Sequence, residues 1–308
     1  MSIPIIDSGE KPDVLGTGPA PVGGGRARLV WRRFRRNRLA MVGLVGLVLL
    51  FVFAFFGGHL THWAPAENDF GNTQSGPSSD HLFGTDDAGH DMFAQTVSGM
   101  QKSLIIGLLV ALLSTGTAGL LGTAAAYFGG WWDKAIVWLT DLFLVVPSLL
   151  MLIILSPYFQ GSNWIVLIPM IALFNWMITS RVLRGMTLTV REREFVRAAR
   201  YMGVPSWTII RRHILPNISS LLIVDFTLNV GAAIITESFL SFLGFGIRTP
   251  DVSLGTVIDD GSNFASTDQW YLFVFPAAFL VLIILCVNFI GDGLRDALDP
   301  NSTGVSAR

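Results

Sequence analysis

Six long, mainly apolar runs decide what this chain can become: Leu39 to Phe56, Leu104 to Phe128, Ala135 to Leu155, Trp164 to Ser180, Ile218 to Ile235 and Trp270 to Ile290. A bilayer core about 30 Å thick takes roughly 20 such residues per helix, so each run is long enough to cross it. The first, second, fourth and sixth runs hold no charge, whereas the third carries Asp141 and the fifth Asp225, with Glu237 just beyond. Continuous apolar runs exclude a β-barrel, whose strands alternate. The expectation is an all-α polytopic membrane protein with six transmembrane helices. A mean hydropathy of +0.56 and only 14% charged residues agree with that class.

Basic residues orient the spans, because Lys and Arg collect in short cytoplasmic loops. With the N-terminus inside, every one of the 21 Lys and Arg residues except Lys102 and Arg248 falls on the inner side. Both termini are therefore expected in the cytoplasm. Residues 1–30 are rich in Gly and Pro and lack an apolar signal core, so they read as a flexible cytoplasmic tail. Residues 31–300 form the membrane domain, and 301–308 a short cytoplasmic tail. The single cysteine, Cys286, lies in an apolar run and forms no intrachain disulfide.

The inner segment from Arg181 to Pro216 spans about 36 residues, far more than packed helices need for a turn. In it, Phe195, Ala198 or Ala199, and Met202 recur at the spacing of one helical face, with Arg193, Arg197 and Arg200 on the others. Gly203 then stops the helix, Pro205 follows, Ser206 is placed to cap a second short helix, and Pro216 introduces the fifth span. Periodicity leaves two readings open here, an interfacial helix on anionic lipid and a docking surface for a partner protein.

These residues also carry a resemblance. "AARYMG" followed by "HILP" resembles the cytoplasmic EAA loop of binding-protein-dependent ABC importer permeases. "WRRFRRNRLAMVGL", "HLFGTDDAGHDMFAQTVSGMQKSL", "ESFLSFLGFGIRTPDVSLGTVIDDG" and "NFIGDGLRDALDP" narrow the likeness to C-type subunits of the dipeptide, oligopeptide and nickel permease family, from Trp31 to Pro300. That resemblance implies the type I importer permease (MetI-like) fold, a bacterial inner-membrane location and no catalytic or metal site of its own. It also implies four kinds of partner: a second permease, two ATP-binding cassette subunits that bind ATP and Mg, an external substrate-binding protein, and membrane lipid. By position, Glu194, Phe195, Arg197, Ala198, Ala199, Met202, Gly203, His213, Leu215 and Pro216 correspond to the coupling segment. Arg197 stands where the motif has Glu, and Glu194, one turn earlier, is the substitute carboxylate.

The chain has no means to hydrolyse ATP, since Lys11, Lys102 and Lys134 follow Glu, Gln and Asp instead of the Gly that a phosphate-binding loop requires. No G-x-S-x-G elbow is present. His59 and His62 lie in an outer loop without metal-ligand company, and "GTDDAGHD" lacks the acid spacing of a calcium loop, which makes it a structural turn. Nothing points to nucleic acid.

Ionisable and amide residues within spans suggest pathways or interhelical bonds. Asp141 reads as structural, pairing with a base or capping a helix near the inner end of its span. Asp225 and Asn229 share one face of the fifth span and either line the route or bond across helices; Glu237 fits gating or packing. Asn175 and Asn288 complete the set, and Gly116, Gly119 and Gly122 in the second span predict close helix packing. Three function classes follow: a permease subunit of an ATP-driven importer of short peptides, nickel or glutathione-like solutes; a self-sufficient secondary transporter; and an intramembrane enzyme. The lack of an internal repeat weighs against the second, and the lack of clustered catalytic groups against the third.

Overall fold

The computed structural model describes residues 24–159 and 163–299. The segments 1–23 and 301–308, assigned above to flexible tails, lie outside them. Among the described residues the chain is helical, with two isolated bridge pairs between residues 68 and 91 and no longer strand. The elements are α1 (Gly24–Arg36), α2 (Arg38–Phe56), α3 (Met92–Phe128), α4 (Gly130–Val145), α5 (Ser148–Leu155), α6 (Leu167–Arg191), α7 (Glu194–Tyr201), α8 (Ser206–Ile209), α9 (Leu215–Phe242), α10 (Leu254–Ser262) and α11 (Tyr271–Leu298). In hydrocarbon every backbone N–H and C=O must be satisfied within its own segment, which is why the apolar runs are helices.

Five helices are long and apolar enough to cross a bilayer singly. The third predicted span is a bent pair instead: α4 and α5 meet at 82°. The cause is Pro147, whose ring pushes Val146 out of the helical region (φ −90°, ψ 127°) and ends α4. Other spans outrun their hydropathy: α3 begins at Met92, ahead of Leu104, and α11 runs on to Leu298. α6 continues to Arg191, and α8 runs through one widened, π-type turn at Ile210–Ile214 directly into α9, with Pro216 in its first turn where a missing N–H is harmless. Most of the long segment from Arg181 to Pro216 is therefore helix. Helix α1 begins at Gly24, inside the residues assigned above to the tail.

At the centre α3 packs between α6 and α9, while α2 and α11 pair at the side and α1 lies against α11. The crossing of α3 and α6 is set by Gly122, where a Cβ would meet the Ser180 carbonyl oxygen at 2.5 Å. At Gly119 a Cβ would come tightly, 3.3 Å, against the Leu222 side chain, whereas Gly116 opens on empty space and takes no part in the packing predicted for it. Because backbone cannot yield as a flexible side chain does, Gly122→Val is expected to force α3 and α6 apart at a cost of about 1–3 kcal/mol or more. Thermal unfolding of the purified chain in detergent checks this against Gly116→Val, which should change little.

Ion pairs, and not loop solvation, account for the first arginines after the fourth apolar run. Arg184 grips Asp133 of α4 through Nε and Nη2 at 2.5 and 2.6 Å, and Arg181 pairs with Asp141. The structural role expected for Asp141 is what the fold shows. Arg191 donates to the Ala126 carbonyl at 2.8 Å, satisfying the last turn of α3. Cys286 is buried, and the Cβ that Gly46 lacks would sit 2.7 Å from its Sγ.

Candidate functional site

The segment between α6 and α9 has two faces with different duties. Val196 is fully buried and Ala199 nearly so, in the cluster that holds Leu183 of α6 and Ile209, Ile210, Ile214 and Ile218. On the opposite side Phe195, Ala198, Tyr201 and Met202 are exposed, Met202 by 75% and Tyr201 by 81%. The apolar stripe read from the sequence is thus split. Phe195, Ala198 and Met202 face out, while Ala199 turns inward with Val196. A helix this short carries little stability of its own; its two inward residues fasten it to the membrane helices.

The turn after α7 is a Schellman motif. Val204 N–H donates to the Ala199 carbonyl and Gly203 N–H to the Arg200 carbonyl, both at 3.1 Å, with Gly203 at φ +75°. Ser206 opens α8 as its first helical residue and does not cap it; Pro205 takes the cap position and offers no side-chain acceptor. Glu194 and Arg197 are both exposed, Glu194 in the first turn where a negative charge suits the helix dipole. His213 lies with its ring 6.4 Å from that of Phe195, Leu215 packs on the core, and Pro216 lines an apolar groove beside Trp31 and Phe34 of α1. The sequence reading missed Val196 and Tyr201; it placed Arg200 on a polar face without its partner, the Tyr127 ring at the end of α3, over which the guanidinium sits at 5.4 Å.

Asp225 and Asn229 form the second polar constellation. Asp225 accepts hydrogen bonds from Thr115 of α3 (2.9 Å), Thr179 of α6 (2.7 Å) and Asn229 of its own helix (2.8 Å). It also borders a cleft of about 520 Å³ with Asn175, Thr179, Asn229 and Pro147. The two alternatives left open by the sequence are compatible: the carboxylate bonds across helices and faces a cavity. Glu237 is fully buried and takes hydroxyl hydrogen bonds from Ser103, Ser241 and Ser238 at 2.9, 2.8 and 3.4 Å.

On the opposite end of the spans, residues between α2 and α3 build a hydrogen-bonded cap. Asp86 accepts from the Ala88 and His90 N–H groups and from the His90 ring, closing the "GTDDAGHD" turn. His62, expected to lack a partner, contacts Asp80 at 3.5 Å and lies against Trp63. Lys102 pairs with Asp251 at 2.6 Å. His81 is 2% exposed, stacked on Trp63, and reaches Asp91 through Nδ1 (2.9 Å) and Asp69 through Nε2 (3.4 Å). Burial pulls this imidazole toward its neutral form, but hydrogen bonds to the Asp91 and Asp69 carboxylates and the nearby negative charge outweigh it and raise its pKa. Only the imidazolium can donate to both carboxylates.

A raised histidine pKa stabilises the fold fully below the unfolded value of about 6.5 and loses that contribution as pH climbs through the folded value. The difference in thermal midpoint between wild type and His81→Gln is therefore expected to be largest below the unfolded value of about 6.5 and to shrink as the pH rises above it. A difference independent of pH would contradict this.

Comparison with known proteins meets this geometry at two places. Residues 118–303 match the family model described as binding-protein-dependent transport system inner membrane component, and 25–77 match that of the N-terminal TM domain of oligopeptide transport permease C. The chain is 52% identical over 278 residues to the oligopeptide transport system permease protein OppC of Mycobacterium tuberculosis H37Rv, covering 90% of this chain and 95% of the relative. It is 37% identical over 270 residues to the dipeptide transport system permease protein DppC of Bacillus subtilis 168 (88% and 84% covered). Against OppC of Escherichia coli K12 the identity is 38% over 271 residues (87% and 89%).

Proposed function

Because the chain belongs to the family of binding-protein-dependent transport system inner membrane components, we propose that it forms, with a second permease, the translocation pathway of an ATP-driven importer of short peptides. The relatives compared above are named for oligopeptide and dipeptide transport, which favours peptides over nickel or glutathione-like solutes. ATP and Mg are bound by two ATPase subunits and not by this chain. Peptide arrives from an external binding protein at the end that carries the cap. Both termini and α7 are cytoplasmic, in keeping with the distribution of Lys and Arg.

One observation carries the reading: α7 is anchored from beneath by Val196 and Ala199 and bare on top at Phe195, Ala198, Tyr201 and Met202. An ATPase subunit seated on that exposed face moves the helix, and the buried pair hands the movement to α6 and α9. This role falls to Glu194, Phe195, Arg197, Ala198, Met202 and Gly203 at the contact, with Ala199, His213, Leu215 and Pro216 behind it. Arg197 in place of the motif's Glu calls for an acidic or carbonyl partner on the ATPase, and Glu194 supplies the remaining carboxylate. Reconstitution in liposomes with the second permease, both ATPases and a peptide-loaded binding protein tests the proposal. ATP-dependent peptide uptake by the full set is the expected result; solute flux by this chain alone would point to a self-sufficient transporter.

A further inference from the structure

Resting on the peptide-importer reading, we infer that Asp225 is a binding site for the α-ammonium group of the peptide in transit. A carboxylate inside a membrane span is costly and is normally paired with a base. Among the described residues Asp225 has no ionic partner, and its three hydrogen-bond donors, Thr115, Thr179 and Asn229, are all neutral. It is also the sole ionisable residue bordering the 520 Å³ cleft that opens beside the break at Pro147.

The donor count leaves room for a ligand. An ionised carboxylate offers about four acceptor positions, and the fixed neighbours occupy three: Thr179 on Oδ1, Thr115 and Asn229 on Oδ2. The open position lies on Oδ1, on a side chain that contacts the cavity. These neighbours hold the charge in place without neutralising it. A cation entering the cleft supplies what the fold omits, and the cation that every unmodified peptide carries, whatever its side chains, is its N-terminal ammonium. Asn175 and Asn229, also at the cleft, suit the adjoining peptide bonds because an amide both donates and accepts.

The test uses the whole transporter with its binding protein. A water-soluble carbodiimide couples a carboxylate to an amine in contact with it, so peptide mapping after treatment with trialanine is expected to show an amide at Asp225. Nα-acetyl-trialanine should give none, and an Nα-acetylated peptide containing lysine separates side-chain amines from the N-terminus. A lost charge-assisted hydrogen bond corresponds to about a tenfold loss of uptake in Asp225→Asn, with Asp225→Glu retaining most of it. Absence of the adduct at Asp225, an adduct formed only by the lysine peptide, or trialanine uptake at the wild-type rate by assembled Asp225→Asn would overturn the inference. If Asp225→Asn fails to assemble, the adduct on the wild-type protein decides alone. Failure of the wild-type transporter to take up peptide at all would instead refute the importer reading on which the inference rests.

Discussion

Gly203→Asp is expected to abolish ATP-driven uptake, by a hundredfold or more (about 3 kcal/mol of lost coupling), while the chain remains folded in the membrane. No heavy atom lies within 4 Å of the position a Cβ would occupy, so nothing beyond the backbone resists a side chain. The conformational cost of φ +75° is then about 1 kcal/mol, and Asp visits that region more readily than most residues. The damage lies in the new charge. It adjoins Met202 on the exposed face of α7, and docking would strip its water without a fitted partner. Gly203→Asn separates the two effects, since it accepts the same backbone without the charge and should keep most of the uptake. Normal uptake by assembled Gly203→Asp would remove α7 from the coupling contact.

Hydropathy located the spans because the bilayer allows few alternatives, and length, periodicity and the resemblance motifs singled out the segment between α6 and α9. What the sequence hid depends on partners distant along the chain. Helix α6 outlasts its apolar run because Arg181 and Arg184 find Asp141 and Asp133, which hydropathy counts only as polar. The bend at Pro147 sits within a run that is apolar on either side of it, and only the rule on residues preceding proline hints at it. Ala198 and Ala199 are both near one face at a period of 3.6 residues; burial of Val196 decides between them, because packing it inward carries Ala199 with it. Arg197 is exposed.

Glu237→Ala is the substitution expected to cost most in stability, and the reason lies in what Glu237 organises. Its Oε2 takes the Ser103 hydroxyl from α3, and its Oε1 the Ser241 hydroxyl one turn along α9. Those hydroxyl oxygens in turn accept backbone N–H groups, Ser103 from Leu254 at the start of α10 and Ser241 from Ile247 in the connecting segment. One carboxylate thus orients two serines that tie α10 and its approach to the membrane helices. Alanine leaves a cavity together with hydroxyls that have lost their acceptor, about 1–3 kcal/mol for each unsatisfied group besides the void. A total above 3 kcal/mol is the expected order. Leucine fills the space and still strands the serines, so it should not rescue. Glutamine keeps the shape and one carbonyl acceptor and should lose only about 1 kcal/mol. The loss should also be local: in Glu237→Ala, proteolysis between residues 243 and 253 rises before the spans unfold, because Ile247 and Leu254 hang from this cluster. Equal thermal midpoints for Glu237→Ala and Glu237→Gln would mean that the void and the loose serines cost nothing, and the carboxylate would then be no keystone of this end of the spans.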